Sequence, residues 1–182
     1  MEKFSDLFEE TLKDIYYAEK AILKALPKMA KKASSAKLQA AFEKHEKETE
    51  RQVKRLEEVF KLLGKRAAGK DCPAIDGILE EGEEVMKDAK DDTVRDAAML
   101  AAAQSVEHYE ISRYGTLVAW AEKMDLSEAA ELLRATLDEE KMTDEALTAL
   151  AESEINVEAE AADDEAEDED EHPKRRAGVR QK

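Results

Sequence analysis

Residues 93–118, TVRDAAMLAAAQSVEHYEISRYGTLV, decide the fold. A stripe at spacings of three and four runs through Ala97, Leu100, Ala101, Gln104, Glu107, His108, Ile111, Tyr114 and Val118, the period of an amphipathic helix. Glu107 lies on that stripe where a plain core would carry leucine. Burying an unpaired carboxylate costs several kcal/mol, so an acid there calls for a compensating charge. Thr93-Val-Arg-Asp96 has the form of a capping box and predicts the start of this helix, which reaches about Met124. Gly115 costs about 1 kcal/mol relative to alanine in a helix interior and predicts a close helix approach or a local distortion.

Three more long helices follow from the same period. Leu12, Ile15, Ala18, Ile22 and Leu26 give one from about residue 5 to 33, with Pro27 predicting a bend over Leu23 to Pro27. Ser34 and Ser35 end it and cap the next, whose stripe is Leu38, Phe42, His45, Thr49, Gln52, Leu56, Val59 and Leu63, closed by Gly64. The last, capped by Ser127, turns Leu133, Leu137, Glu140, Asp144, Leu147 and Ala151 inward and fades near Ser153. Between the second and third long helices lies a connection holding Gly69, Cys72, Pro73 and a short helix around Ile75 to Ala89. The expected architecture is all-α: a ferritin-like four-helix bundle of two antiparallel hairpins joined by a long crossover that contains a short fifth helix. Residues 1–153 form the bundle, and 154–182 a disordered acidic tail with a basic end, because Glu158 to Glu171 carries ten acids and no base.

Composition narrows the function. The formal charge of -16 opposes binding to nucleic acid. No apolar run approaches the roughly 20 residues of a membrane span, and MEKFSDLFEE lacks a basic region followed by an apolar one, which reads as cytoplasmic. The lone Cys72 suits a reducing compartment; it reads as incidental, with an intermolecular disulfide as the alternative.

Every long helix contributes candidate metal ligands. Glu19 shares its face with Leu12, Ile15, Ile22, Leu23 and Leu26; His45 and Glu48 stand three apart, as do Glu107 and Glu110; Glu140 and Asp144 stand four apart. Any one of these acids has an ordinary alternative in solvent or an ion pair, and His45 and His108 one as hydrogen-bonded core histidines. Their joint occurrence points to a di-metal carboxylate centre, which needs oxygen donors from several helices around ions about 3.5 to 4 Å apart. A donor set richer in carboxylate than in imidazole favours two iron ions, with manganese as the alternative. Gln52 and Gln104 read as supporting polar groups, and the four tyrosines are assigned no redox role.

The runs DIYYAEKAILKALPKMAKKA (14–33), AFEKHEKETERQVKRLEEVF (41–60), RDAAMLAAAQSVEHYEISRYGTL (95–117) and LLRATLDEEKMTDEALTALA (132–151) resemble the YciE/YciF-type family of bacterial ferritin-like proteins. The resemblance implies a ferritin-like bundle, commonly a homodimer, in stress-associated proteins of poorly defined biochemistry. Against the ferritin-like plan, Glu19, Glu48, Glu107 and Glu140 match the four helix glutamates. The usual E-x-x-H is not met, since Arg51 follows Glu48 and Thr143 follows Glu140 at that spacing. Two functions are open on this reading. One is a di-iron or di-manganese oxidoreductase reacting with oxygen or peroxide, in which Glu48 and Glu140 bridge, Glu19 and Glu107 are terminal and His45 donates nitrogen. The other is a dimeric stress-response scaffold with a structural or vestigial site, its acidic tail meeting a basic partner; iron storage is a third possibility.

Overall fold

The structure, a computed structural model, describes residues 1–162. Five α-helices follow one another: α1 (Phe4–Lys32), α2 (Ala36–Leu62), α3 (Pro73–Asp88), α4 (Asp92–Lys123) and α5 (Ser127–Leu150). No strand occurs among the described residues. α1 pairs with α2 and α4 with α5, the two hairpins meet through α2 against α5 and α1 against α4, and the crossover helix α3 lies on α4 and α1. The four long helices therefore enclose one core, and α3 covers its flank.

The heptad-like stripes become that core. Leu12, Ile15, Leu38, Phe42, Leu56, Leu100 and Leu133 are buried, each contributing roughly 1.5–3 kcal/mol over an exposed position. Phe8, Phe60 and Tyr114 fill the wider spaces. α2 keeps its expected face almost residue for residue: Leu38, Phe42, His45, Thr49, Gln52, Leu56 and Val59 are buried, with Phe60 beside them in place of Leu63.

Local signals set the ends. Ser35 caps α2 by accepting the Leu38 N–H at 3.3 Å. Gly64 takes a φ of 67°, the left-handed region that glycine tolerates, and lets the Lys65 N–H return to the Phe60 carbonyl at 2.9 Å. At Gly69 a Cβ would sit 3.2 Å from that of Tyr17, so the crossover loop runs hard against α1.

α1 runs through Pro27 to Lys32 as one helix, the extent that its stripe predicts. Other local expectations are corrected. Gly115 faces open space, so neither a close approach nor a break in α4 explains it. α4 is capped by Asp91, whose carboxylate accepts the Thr93 and Val94 N–H groups, and not by Thr93. Asp96 instead turns to the α1–α2 junction, accepting from the Ser34 N–H at 3.0 Å, the Ser35 N–H at 2.6 Å and the Ser34 hydroxyl at 2.6 Å. α5 starts from Leu126 without a side-chain cap.

α5 also does not fade at Ser153. A π turn over Ala151–Ile155 leads into helix that runs on to residue 162. Ile155 is buried, and Glu154 pairs with Lys37 and accepts from the Ser35 hydroxyl at 3.2 Å. Residues 163–182, which hold most of the expected tail, lie outside the described residues.

Candidate metal centre

The helix faces carry four acids and one imidazole into the same interior. Glu19 of α1, Glu107 and Glu110 of α4, Glu140 of α5 and His45 of α2 are all buried. One ligand atom from each of His45, Glu107, Glu110 and Glu140 falls within 4.8 Å of every other. Two carboxylates ionised at that separation repel by about 3 kcal/mol even at an effective dielectric of about 20. Burial pushes the Glu19 and Glu107 carboxyls up to about 8. It raises Glu110 and Glu140 well above the usual carboxylate range, with the neighbouring acids adding to the shift. Burial also lowers the His45 imidazole to about 4, which keeps it neutral and its lone pair available as a ligand.

Buried polar atoms normally find partners, and here a group of them does not. Glu19 Oε2, Glu107 Oε2, Glu110 Oε1, both Glu140 oxygens, both His45 nitrogens and Glu48 Oε2 make no hydrogen bond. His45 Nε2 stands 3.3 Å from Glu107 Oε1. Unpaired acceptors on converging helices, with one neutral imidazole, are the chemistry of a cation site: a bound ion would take the orphaned lone pairs and return the acids to their ionised form. The donor set fits a hard or borderline divalent metal.

Around this group lies a supporting layer. The Tyr114 hydroxyl, which burial and the facing acids hold protonated, donates to Glu19 Oε1. Arg55 forms a two-pronged pair with Glu139 at 2.6 and 2.7 Å, and Gln52 Nε2 donates to Glu139 at 3.2 Å. Gln104 Nε2 donates to Asp144 at 3.3 Å and to the Thr148 hydroxyl at 2.8 Å.

Two expected ligands sit at the rim. Glu48 is 14% exposed at its side chain and reaches Lys44 at 3.3 Å and Arg51 at 3.7 Å, although its second oxygen is buried without a partner. Asp144 is half-buried and faces His108 at 3.3 Å as well as Gln104. His108 itself is exposed, which corrects its expected place in the core; at the next position Tyr109 points to Asp14 and Cys72. Thr143, at the spacing where histidine is usual, is buried with its hydroxyl unpartnered. Cys72 is buried with its Sγ 3.0 Å from the Tyr109 hydroxyl, so it is a packed residue and not an exposed thiol. Arg55 was missed as part of the site; Tyr114, on the stripe one helical turn beyond Glu110, and Thr143, at the E-x-x-H spacing from Glu140, had signals but were given no role.

The sequence matches the family model described as "Domain of unknown function (DUF892)" over residues 3–160. The chain belongs to the DUF892 family. It is 44% identical over 161 residues to Protein YciF of Escherichia coli strain K12, covering 88% of this chain and 97% of that one. The crystal structure of the E. coli stress protein YciF superposes with a TM-score of 0.82 at 43% identity, covering 86% of this chain and 99% of the other. YcfI of Rhodopseudomonas palustris, provisionally ascribed a structural role, gives 0.80 at 46% identity, covering 81% and 94%. A Xanthomonas campestris protein at 21% identity shares the fold, with a TM-score of 0.68 over 88% of this chain and 99% of its own. The buried His and Glu group of this DUF892 member thus sits in a bundle shared with the E. coli stress protein YciF.

Proposed function

We propose that this DUF892 protein is a di-metal carboxylate protein of the stress response, holding two iron ions, or manganese in their place, among Glu19, His45, Glu107, Glu110 and Glu140. The observation that carries the reading is the set of buried, unpartnered carboxylate oxygens around His45. Glu48 and Asp144, at the rim, are the further ligands in this reading, and Glu107 feels the charge of both. An iron or manganese pair held by these residues would supply the electrons for reduction of oxygen or peroxide. The chain's own groups hold the site in readiness. Tyr114 fixes one Glu19 oxygen and leaves the other free, and the apolar walls keep bulk water from the acids.

Anaerobic titration with Fe(II), followed by air, tests this. Two equivalents bound per chain and a new near-ultraviolet absorption band on exposure to air are expected; no binding, or binding without any spectral change, would count against the oxidoreductase reading. The second reading, a scaffold with a structural metal, is favoured by Glu48 being held by Lys44 and Arg51 and by threonine at position 143. It is selected if metal raises the melting temperature yet the loaded protein is inert to oxygen and peroxide. A cytoplasmic homodimer is the proposed state, with the acidic end of the chain available to a basic protein; sedimentation at several concentrations tests the assembly. No helix among the described residues is long and apolar enough to cross a membrane.

A further inference from the structure

A groove of about 480 Å³ runs between α1, α3 and α4, within the range of about 300–1,000 Å³ typical of small-molecule sites. Its floor is apolar, formed by side chains such as Ala25 and Met29 of α1, Leu79 and Met86 of α3 and Val106 of α4. One rim carries Lys20, Lys24, Lys28 and Lys32, spaced one helical turn apart along α1. Lys28 reaches Glu83 at 3.5 Å, and the other three enter no ion pair among the described residues. On a chain of formal charge -16, four cations in successive turns beside an apolar trough are a local reversal of the surface.

The floor does not end in solvent. Ala25, Met29, Leu79 and Val106 also line a second, smaller cavity of about 70 Å³, which reaches His45, Glu48 and Glu107. The two spaces share a wall of apolar side chains that leads from the lysine rim to the candidate metal centre.

We propose that this groove binds a single-chain amphiphile with an anionic head, such as a fatty acid, its head on the Lys20–Lys24 stretch and the far end of its chain directed toward the buried His45 and Glu107. Such a molecule matches both surfaces at once. The acidic run 163–171 of the same chain offers charge for the lysines but only alanine for the floor, so it is the weaker fit. The direction of the far end rests on the di-metal reading and makes the amphiphile a candidate substrate of that centre; the groove itself does not depend on it.

The test uses the full chain treated with chelator, so that binding is read independently of metal. Calorimetric titration with octanoate, decanoate and laurate below their micelle concentrations is expected to give one site per chain, tightening by up to about fourfold for each methylene buried. The double variant Lys20→Glu/Lys24→Glu, both positions exposed, is expected to lose at least tenfold in affinity with an unchanged melting temperature. Ala25→Phe, which fills the shared wall, is expected to abolish the gain from longer chains. Absence of binding, equal binding of dodecyltrimethylammonium, or undiminished binding by the charge-reversed variant would overturn the proposal. So would carbodiimide cross-links from the lysine row to residues 163–171 in a protein that takes up no laurate. With Mn(II) added, selective broadening of the terminal methyl resonance of bound laurate supports the inward direction, and selective broadening of the carboxyl end overturns it. If neither Mn(II) nor Fe(II) binds, the di-metal reading fails while the laurate titration still stands.

Discussion

Removing metal and raising the pH from 6.5 to 8 is expected to destabilise the bundle steeply. In the folded chain burial holds the Glu19 and Glu107 carboxyls up to about 8 and raises Glu110 and Glu140 well above their usual range, against an ordinary value of 4.5. The folded state therefore keeps protons that the unfolded chain has already lost. Stability from these groups is complete below about 4.5 and is lost as the pH rises through 8, the opposite of the usual ion-paired carboxylate. A fully retained proton gives a fall of about 1.4 kcal/mol per pH unit, dropping to half of that where the pH meets the folded value, so two to four such acids give roughly 2 to 5 kcal/mol per pH unit. Set against a total stability of about 5–15 kcal/mol, even the lower figure is large. His45 acts in the other direction, its imidazole lowered from 6.5 to about 4, but because the unfolded imidazole is only half protonated at pH 6.5 it offsets no more than about 0.4 kcal/mol across the chosen window. Urea unfolding of chelator-treated protein at three pH values, with m held common, measures the slope directly. Saturating metal is expected to abolish it, because the ion binds the ionised carboxylates. A metal-free midpoint that stays flat or rises between pH 6.5 and 8 would refute the reasoning.

Three further outcomes are expected. Tyr114→Phe removes the hydroxyl that holds Glu19, and should cost about 1–2 kcal/mol in urea unfolding and weaken Fe(II) binding, while leaving the helix content by circular dichroism unchanged. Asp96→Ala strips acceptors from the Ser34 and Ser35 N–H groups and should cost about 3 kcal/mol, a fall of roughly 6–12 °C in melting temperature by calorimetry. Cys72, buried against Tyr109, should react with a thiol reagent at least a hundredfold more slowly in native protein than in urea, and peroxide should produce no disulfide-linked dimer on non-reducing electrophoresis.

What the sequence made legible was the direction of long stripes. His45, Thr49 and Gln52 continue the apolar line of α2, and all three are buried where that line points. Glu19 and Glu140 followed for the same reason. Period alone was weaker on α4, because α1, α5 and α3 all pack against it and apolar residues occupy more than one face; Met99, Ala103 and Val106 are buried beside the expected stripe, and His108 is not. Around Glu140, offsets of three and four lie on either side of the same residue, and only packing decides that Thr143 turns in and Asp144 stays at the edge. Asp96 was read as a partner for its own helix, whereas its donors lie about 60 residues earlier in the chain, a distance at which no local motif operates. The continuation of α5 beyond Ser153 had a similar cause. Its anchor is Ile155 in the core and Glu154 on Lys37, and the acidic composition that follows hid both.

The central claim is that inward acids from three helices and the imidazole of a fourth share bound cations. Metal content of the chelated and reloaded chain, compared with a Glu107→Gln/Glu140→Gln variant that keeps the shape but removes two carboxylate charges, tests it most directly. Two equivalents of iron or manganese in the parent chain and less than half an equivalent in the variant, with both proteins folded, are the expected result. Equal metal content in the two, or none in either, would contradict it.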